Sequence, residues 1–581
     1  MKSLKNLKYD REINMNNLNK EKILLILLPF WTPMIPPLGI TNLKSYLQAH
    51  GFVVKTADAN IETDYKEIYD TYFDCLRQCV PEEKRGNFFS IGTDVLRNHL
   101  MVHIHCTDER TYVELVKILI NRTYYINVDD STAYRLIGIV VEFYAWLRQY
   151  VYNLLEKEKP GVLGLSVYKD ILPASMFVFK ITRERFPHIK TVMGGSVFSE
   201  QLTVGSPDLE FFLEKTKHYI DHLLIGPAEL LFLKYLNGDL RGLSDSQRVY
   251  TAQDIGGEME EFSSLDIPDY SDIDISKYPY LGYTGSLSCP YQCSFCNVVS
   301  YFGKYKQKDV SQIADEMQRL YHIYGSQVFY FSDNMVNPYI FKLAEENLKR
   351  DKVIYWSAYL KVDDYGSDPA NTMQWRRGGF YHARLGLDSG SQHILDMMDK
   401  RITPAQSKAM IAGLAHAGIK TTTYWLVGHP GETEADFQET LDFLSECKND
   451  IWEAECEYFN YNYSGQSHSQ TWSGKRVLVY PADARDMLIV NKWGVDGEPS
   501  REVIMNRVCR FVDHCKKLGI PNPYSLHEIH QADLRWQRLH PNAATPLIEF
   551  RGENVYIDEC RYLKELHFVK NSGEFSGDFE F

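Results

Sequence analysis

Three cysteines, Cys289, Cys293 and Cys296, fall in the stretch Thr-Gly-Ser-Leu-Ser-Cys-Pro-Tyr-Gln-Cys-Ser-Phe-Cys-Asn, a C-x3-C-x2-C spacing. Three thiolates leave a four-ligand centre one ligand short. A structural zinc would take its fourth ligand from a nearby Cys or His, and neither flank supplies one. A [4Fe–4S] cluster held by three cysteines instead keeps one iron open to an exogenous ligand. Unrelated buried thiols are the third reading of such a stretch.

The elements around this stretch must place it. The chain has 581 residues, which suggests about three or four domains. Apolar residues make up 44% and aromatic residues 13%, enough for packed cores. The net charge of −14 argues against a general nucleic-acid binder, which needs clustered Lys and Arg. Residues 1–22 are polar and mixed in charge, and read as an N-terminal extension without a leader pattern. The longest apolar run, residues 23–28, is far short of the ~20 residues a membrane span needs. The other eight cysteines show no regular framework. The expectation is a soluble, cytoplasmic protein with neither a nucleic-acid partner nor a membrane span.

The continuous apolar run 23–28 has the pattern of a strand buried on both faces of a parallel sheet. A loop ending at Gly39, a helix over 40–48 and a strand over 52–56 follow. The pattern resumes at Gly161 with a strand, a helix over 173–185, a strand over 190–193 and a short strand over 223–225. Residues 23–238 therefore read as a doubly wound, Rossmann-like α/β domain carrying a mostly helical insertion, 61–159. The insertion holds Cys75, Cys79, His103, His105 and Cys106, pairs that suit core or surface positions better than a metal site. Residues 239–280 read as a linker. From 281 to 477 strands near 281–287, 327–331, 353–359, 381–387, 420–427 and 454–460 alternate with helices over 310–324, 404–417 and 434–447. That is a partial (β/α)6 barrel, with the three-cysteine loop after its first strand, at the end where parallel barrels place their ligands. Residues 478–581 form a C-terminal region with no legible chemistry.

The cysteine stretch, with the aromatic Phe295 before its last Cys, resembles the radical SAM enzymes, in which the open iron chelates the amino and carboxylate groups of S-adenosylmethionine (SAM). The resemblance extends to three further segments. Phe331-Ser332-Asp333-Asn334 is similar to the family's polar segment that holds the methionyl ammonium; a carboxylate facing a cation suits that role, and capping the next helix is the other use of Asp333. Gly386-Leu-Asp388-Ser389-Gly-Ser391 is similar to a G-x-E-S-G-S segment lining ribose and methionine, with Asp388 one methylene shorter than the usual Glu. Leu426-Val-Gly428-His-Pro-Gly431-Glu-Thr resembles the turn where backbone groups meet adenine, glycine permitting close approach.

Upstream, Pro36-Pro37-Leu38-Gly39, Ser166 and Tyr168, Gly194-Gly195, and Gly226 with Glu229 stand at successive strand ends, where open α/β sheets bind ligands. The set resembles the cobalamin-binding domain of cobalamin-dependent radical SAM enzymes. The Asp-x-His-x-x-Gly motif that supplies a cobalt-ligating His elsewhere is absent.

The resemblance implies three cofactors: a [4Fe–4S] cluster, SAM and cobalamin. It implies that SAM yields a 5′-deoxyadenosyl radical, that this radical takes hydrogen from an unactivated carbon, and that methylcobalamin delivers a methyl group there. A natural product, peptide or metabolite would be the substrate, and a flavodoxin or ferredoxin the electron donor. Cyclisation or rearrangement without methyl transfer is the rival outcome. The tyrosine-rich run 457–463 is a candidate pocket wall or an ordinary core segment.

Overall fold

The run Ile-Leu-Leu-Ile-Leu forms β1 (Ile23–Leu27) in a computed structural model of the chain, with all five side chains buried. The structure describes residues 22–30, 34–199, 202–240, 247–257, 260–461, 474–481, 484 and 493–550. Tail residues 551–581, most of the extension 1–22, and Asn462 and Tyr463 of the tyrosine-rich run lie outside the described residues.

β1 is apolar along its whole length because parallel strands flank it on both sides: β2 (Val54–Asp58) and β3 (Val162–Ser166). With β4 (Lys190–Gly194), β5 (His222–Ile225) and β6 (Val249–Thr251) the sheet order is β2-β1-β3-β4-β5-β6, all parallel. Strand order reverses between β1 and β3, the switch point where such sheets open a ligand crevice. β6 corrects the linker reading of 239–280: its three residues are too short to show periodicity, yet they complete the sheet edge. The rest of that segment is stapled to the sheet by buried Lys44, which pairs with Asp269 at 3.1 Å and Asp272 at 2.7 Å.

The insertion contains helices Thr63–Cys79, Phe88–His105, Glu109–Tyr124 and Asp130–Glu158. Asp108 and Asp129 cap the last two by accepting from the Thr111 and Thr132 amides. The candidate metal pairs are spent locally: Cys79 Sγ donates to the Leu76 carbonyl, and the His103 ring stacks on Tyr144 at 4.9 Å.

The second sheet contains β7 (Leu281–Tyr283); a short antiparallel pair, β8 (Ser286–Leu287) and β9 (Lys306–Gln307), stands beside it. The sheet continues with β10 (Val328–Phe331), β11 (Tyr355–Leu360), β12 (Phe380–Asp388), β13 (Lys420–Val427) and β14 (Glu453–Tyr458). Order β14-β13-β12-β11-β10-β7 in parallel pairing gives the open six-stranded barrel. Helices Val310–Tyr324, Pro404–His416 and Glu434–Cys447 cover its outside, the last two begun by capping boxes at Thr403 and Thr433.

An open barrel leaves edges, and this chain covers the β14 edge with its insertion. Asn87 Nδ2 donates to the Cys456 carbonyl at 3.1 Å, Ser90 donates to Glu457, and Tyr458 donates to Asp94. The C-terminal region packs on the same barrel. Helix Arg501–Leu518 lies against β14 and helix Glu434–Cys447, and helix Leu526–Leu539 sends Asp533 under the barrel to Lys420, 2.6 Å away.

Candidate active site

The three-cysteine loop leaves β7 and is anchored before it reaches Cys289. Asp333, at the end of β10, is fully buried and accepts from the Gly285 amide at 2.9 Å, from Ser286 Oγ at 2.5 Å and from the Tyr339 hydroxyl. Burial raises its carboxyl to about 6 against those three donors. Two of these bonds, to Gly285 and Ser286, hold the start of the cysteine loop. Its neighbours Ser332, exposed, and Asn334, half-buried, are the members of that segment open to the barrel mouth.

Cys289, Cys293 and Cys296 are free and partly exposed. Burial pushes the Cys289 and Cys296 thiols up, and the backbone N–H groups of Tyr291 and Val298 oppose it. Ser294 ties the loop's middle to the far side of the mouth, its amide to the Met398 carbonyl at 2.9 Å and its hydroxyl to the Met397 carbonyl at 3.1 Å. Two lysines, which the sequence did not single out, supply positive charge. Lys361 lies near Cys289 and Cys293, donates to the Lys400 carbonyl and covers the Tyr291 ring at 4.2 Å. Lys400 lies near Cys293 and Cys296 and pairs with Asp388. Among the described residues no three His, Cys, Asp or Glu side chains gather about a point as a single ion requires. Neighbouring free thiols, donated amide N–H groups and a cationic surround fit an anionic iron–sulfur cluster.

Asp388 turns the chain at the end of β12 with φ +65°, in the left-handed region, and there its carboxylate meets Lys400. Ser389 and Ser391 are buried against helix Glu434–Cys447: Ser391 Oγ donates to Asp436 at 2.6 Å, and Ser389 Oγ lies 3.5 Å from Thr440 Oγ1. Both hydroxyls fasten this turn. Phe295 and Leu426 pack with Phe459 and Tyr461, an apolar patch beside the cysteine loop that is suited to an aromatic base. Gly428 has φ +84° and no room for a Cβ, because Ile504 of the C-terminal region fills the space; its amide donates to Glu432 at 2.9 Å.

The N-terminal sheet presents its switch point to this loop. Gly39 stands in the first turn of helix Leu38–Ala49, where an added Cβ would sit 3.4 Å from Ser166 Oγ and 3.9 Å from the Tyr168 hydroxyl. Gly194, Gly195 and Gly226 are partly exposed, and Gly226 (φ +113°) faces open space. Pro37 is buried, and Leu38 packs onto Gly282 of β7, joining the two sheets. Glu229 is partly exposed at the start of helix Ala228–Asn237, its carboxyl held above the usual range by burial, with Glu260 adding to the effect. Across the cleft, Asn297 Nδ2 donates to the Ser199 carbonyl at 2.7 Å, and the Tyr301 hydroxyl donates to the Gly195 carbonyl at 3.4 Å. The cysteine loop and the crevice are thus adjacent. Glycines stand along the edge of this crevice, and Gly226 faces open space.

Comparison with known proteins defines the class. Residues 283–444, within the barrel, match the Radical SAM superfamily. The anaerobic magnesium-protoporphyrin IX monomethyl ester cyclase of Rubrivivax gelatinosus is 24% identical over half of this chain and 55% of its own. The chain thus spans only about half the length of that relative. An uncharacterised methyltransferase of Pyrococcus horikoshii is 22% identical over 59% of this chain and 73% of its own. Among solved structures, the radical S-adenosylmethionine methyltransferase TsrM from Kitasatospora setae, with cobalamin and a [4Fe–4S] cluster bound, superposes with a TM-score of 0.57 at 14% identity. That match covers 90% of this chain and 98% of TsrM, so the two-sheet architecture is shared nearly end to end. Among the described residues no helix is long and apolar enough to cross a membrane.

Proposed function

We propose that the protein is a cobalamin-dependent radical SAM enzyme that methylates an unactivated carbon of a natural-product, peptide or metabolite substrate. The observation that carries this reading is the contact of Asn297 and Tyr301, just past the last cysteine, with Ser199 and Gly195 at the strand ends of the N-terminal sheet. It puts the loop that would hold the cluster beside the crevice that would hold cobalamin.

Cys289, Cys293 and Cys296 would bind the cluster; Phe295 and Leu426 would flank the adenine of SAM. Gly39, Ser166, Tyr168, Gly194, Gly195 and Gly226 would line the corrin crevice. When bound, cluster and SAM supply a carbon-centred radical, and cobalamin supplies a transferable methyl group. The chain's own residues position and shield. Lys361 and Lys400 offset negative charge at the thiolates, Asp333 and Ser294 fix both arms of the loop, and the insertion and C-terminal helices exclude water from the barrel's open edge and floor.

Cyclisation or rearrangement without methyl transfer is the second reading, favoured by the similarity to the protoporphyrin ester cyclase. Anaerobic turnover with SAM and candidate substrates, read by mass spectrometry, separates the two. Methyl transfer gives S-adenosylhomocysteine, 5′-deoxyadenosine and a product heavier by one methylene; rearrangement gives no such gain. Iron-free protein from oxygen-free preparations, or iron content unchanged when the three cysteines become alanine, overturns both.

A further inference from the structure

The barrel chamber carries a charge that the proposed reaction does not use. Alternation along the strands, with the register between them, stacks the inward side chains in layers. Tyr359, Arg384, Thr422 and Glu453 form one layer; Gly386, Tyr424 and Glu455 form the next toward the cysteine loop. Below them Lys420 is neutralised by Asp533 and Glu549, at 2.6 and 3.1 Å, so the floor is closed in charge as well as in space.

Arg384 is not neutralised. It is 5% exposed, and its Nη atoms reach only Ser357 Oγ, at 3.1 and 3.3 Å. Its guanidinium carbon lies 3.7 Å from the Tyr330 ring centroid and 4.9 Å from that of Tyr359, and Nε has no acceptor. Among the described residues no carboxylate stands at ion-pair distance from it. The nearest acidic side chain of its layer, Glu453, is engaged by the Thr422 hydroxyl at 2.7 Å, and burial lifts it to about 7; Glu455, next to it, is lifted to about 8 by burial and by its two glutamate neighbours. Arg384 and Lys420 draw the Glu453 carboxyl down, but burial outweighs them, so its charge offsets the guanidinium only in part. A buried guanidinium without an ion-pair partner keeps a desolvation penalty that an anionic ligand would relieve. Tyr330, Tyr359 and Tyr424 are partly exposed, so the space beside the guanidinium is open to the chamber.

We propose that Arg384 is a substrate-recognition residue and that the substrate carries a carboxylate, which it lowers to the chamber floor against this guanidinium. The planar fork of the guanidinium matches two carboxylate oxygens, and the tyrosine faces favour a flat group beside them. The inference rests on the reading of the barrel as the reaction chamber.

The test uses the full chain, reconstituted without oxygen and supplied with SAM, titrated with benzoate, benzyl alcohol and benzylammonium by ligand-observed NMR. Benzoate is expected to bind best, to weaken about tenfold or more in Arg384→Met, and to recover partly in Arg384→Lys. Arg384→Met leaves no carboxylate unpaired and is expected to fold; Arg384→Gln is the second variant. Benzoate binding no tighter than that of benzyl alcohol, tighter binding of benzylammonium, or full benzoate affinity in both Met and Gln variants overturns the proposal. Iron content of the wild-type protein reports separately on the cluster, and the benzoate result is read whatever that content is.

Discussion

Asn297, directly after the third cysteine, donates from Nδ2 to the carbonyl of Ser199 at 2.7 Å, one of the bonds that hold the cysteine loop against the N-terminal sheet. Asn297→Ala is expected to cost about 1 kcal/mol locally. Hydrogen exchange should rise at the amides of Gly195 to Phe198 and stay unchanged in the barrel strands. Equal exchange in both proteins would show that the bond does not hold the two sheets together.

Asp333 gives a second prediction, because two of its three donors, Gly285 and Ser286, precede Cys289. Asp333→Ala orphans the buried Gly285 amide and the Ser286 and Tyr339 hydroxyls, at about 1–3 kcal/mol each. Iron retained after gel filtration should fall well below wild type, and Asp333→Asn, which keeps an acceptor oxygen, should fall less. The folded carboxyl titrates near 6, above the unfolded value of 3.8, so the folded state binds the proton more tightly. The stabilising part is complete below about pH 4 and is lost as pH rises through 6. Urea midpoints measured from pH 4 to 7 should show that decline in wild type and a flatter profile in Asp333→Asn.

Lys420 supports the floor. Lys420→Met leaves Asp533 and Glu549 buried without their cation, and breaking a buried pair of this kind costs about 3–5 kcal/mol. Urea unfolding followed by tryptophan fluorescence should shift to markedly lower denaturant, since Trp452 donates to Asp533 at 2.9 Å. A midpoint equal to wild type would mean that the C-terminal helix does not depend on this triad.

The chamber's own titration yields a fourth outcome. Arg384 and Lys420 are its cations; Glu453, Glu455 and Glu457 face it from β14, with burial holding all three above the usual carboxylate range. Burial and the two neighbouring glutamates hold the Glu455 carboxyl well above the usual range, so negative charge accumulates on β14, one layer from Arg384, as pH rises. Benzoate affinity should fall between pH 7 and 9, and Glu455→Gln should remove most of the fall above pH 8. Pronounced strengthening toward pH 9 would contradict this charge order.

Much of the scaffold was legible from local pattern. The helices Val310–Tyr324 and Glu434–Cys447 and the strand Lys420–Val427 begin and end where their apolar spacing placed them. The cysteine loop was legible from residue type and spacing alone. Val249–Thr251 was not, because three residues carry no period and their strand character comes from pairing with β5. Asp388, Ser389 and Ser391 were singled out by their resemblance to a G-x-E-S-G-S segment, but their bonds to Lys400 and to helix Glu434–Cys447 were not legible.

The sequence by itself determined that three thiols sit after the first strand of a parallel barrel and that a doubly wound sheet precedes it, since spacing and periodicity are local properties. Only the tertiary structure decided what meets across the chain. The insertion seals the edge of β14, the C-terminal region neutralises Lys420, Lys361 and Lys400 flank the cysteines, and Arg384 stands in the chamber without a counterion. Each of these depends on strand register and on contacts between residues tens to hundreds of positions apart. Burial and pairing of charge are set by those contacts, and no local pattern encodes them.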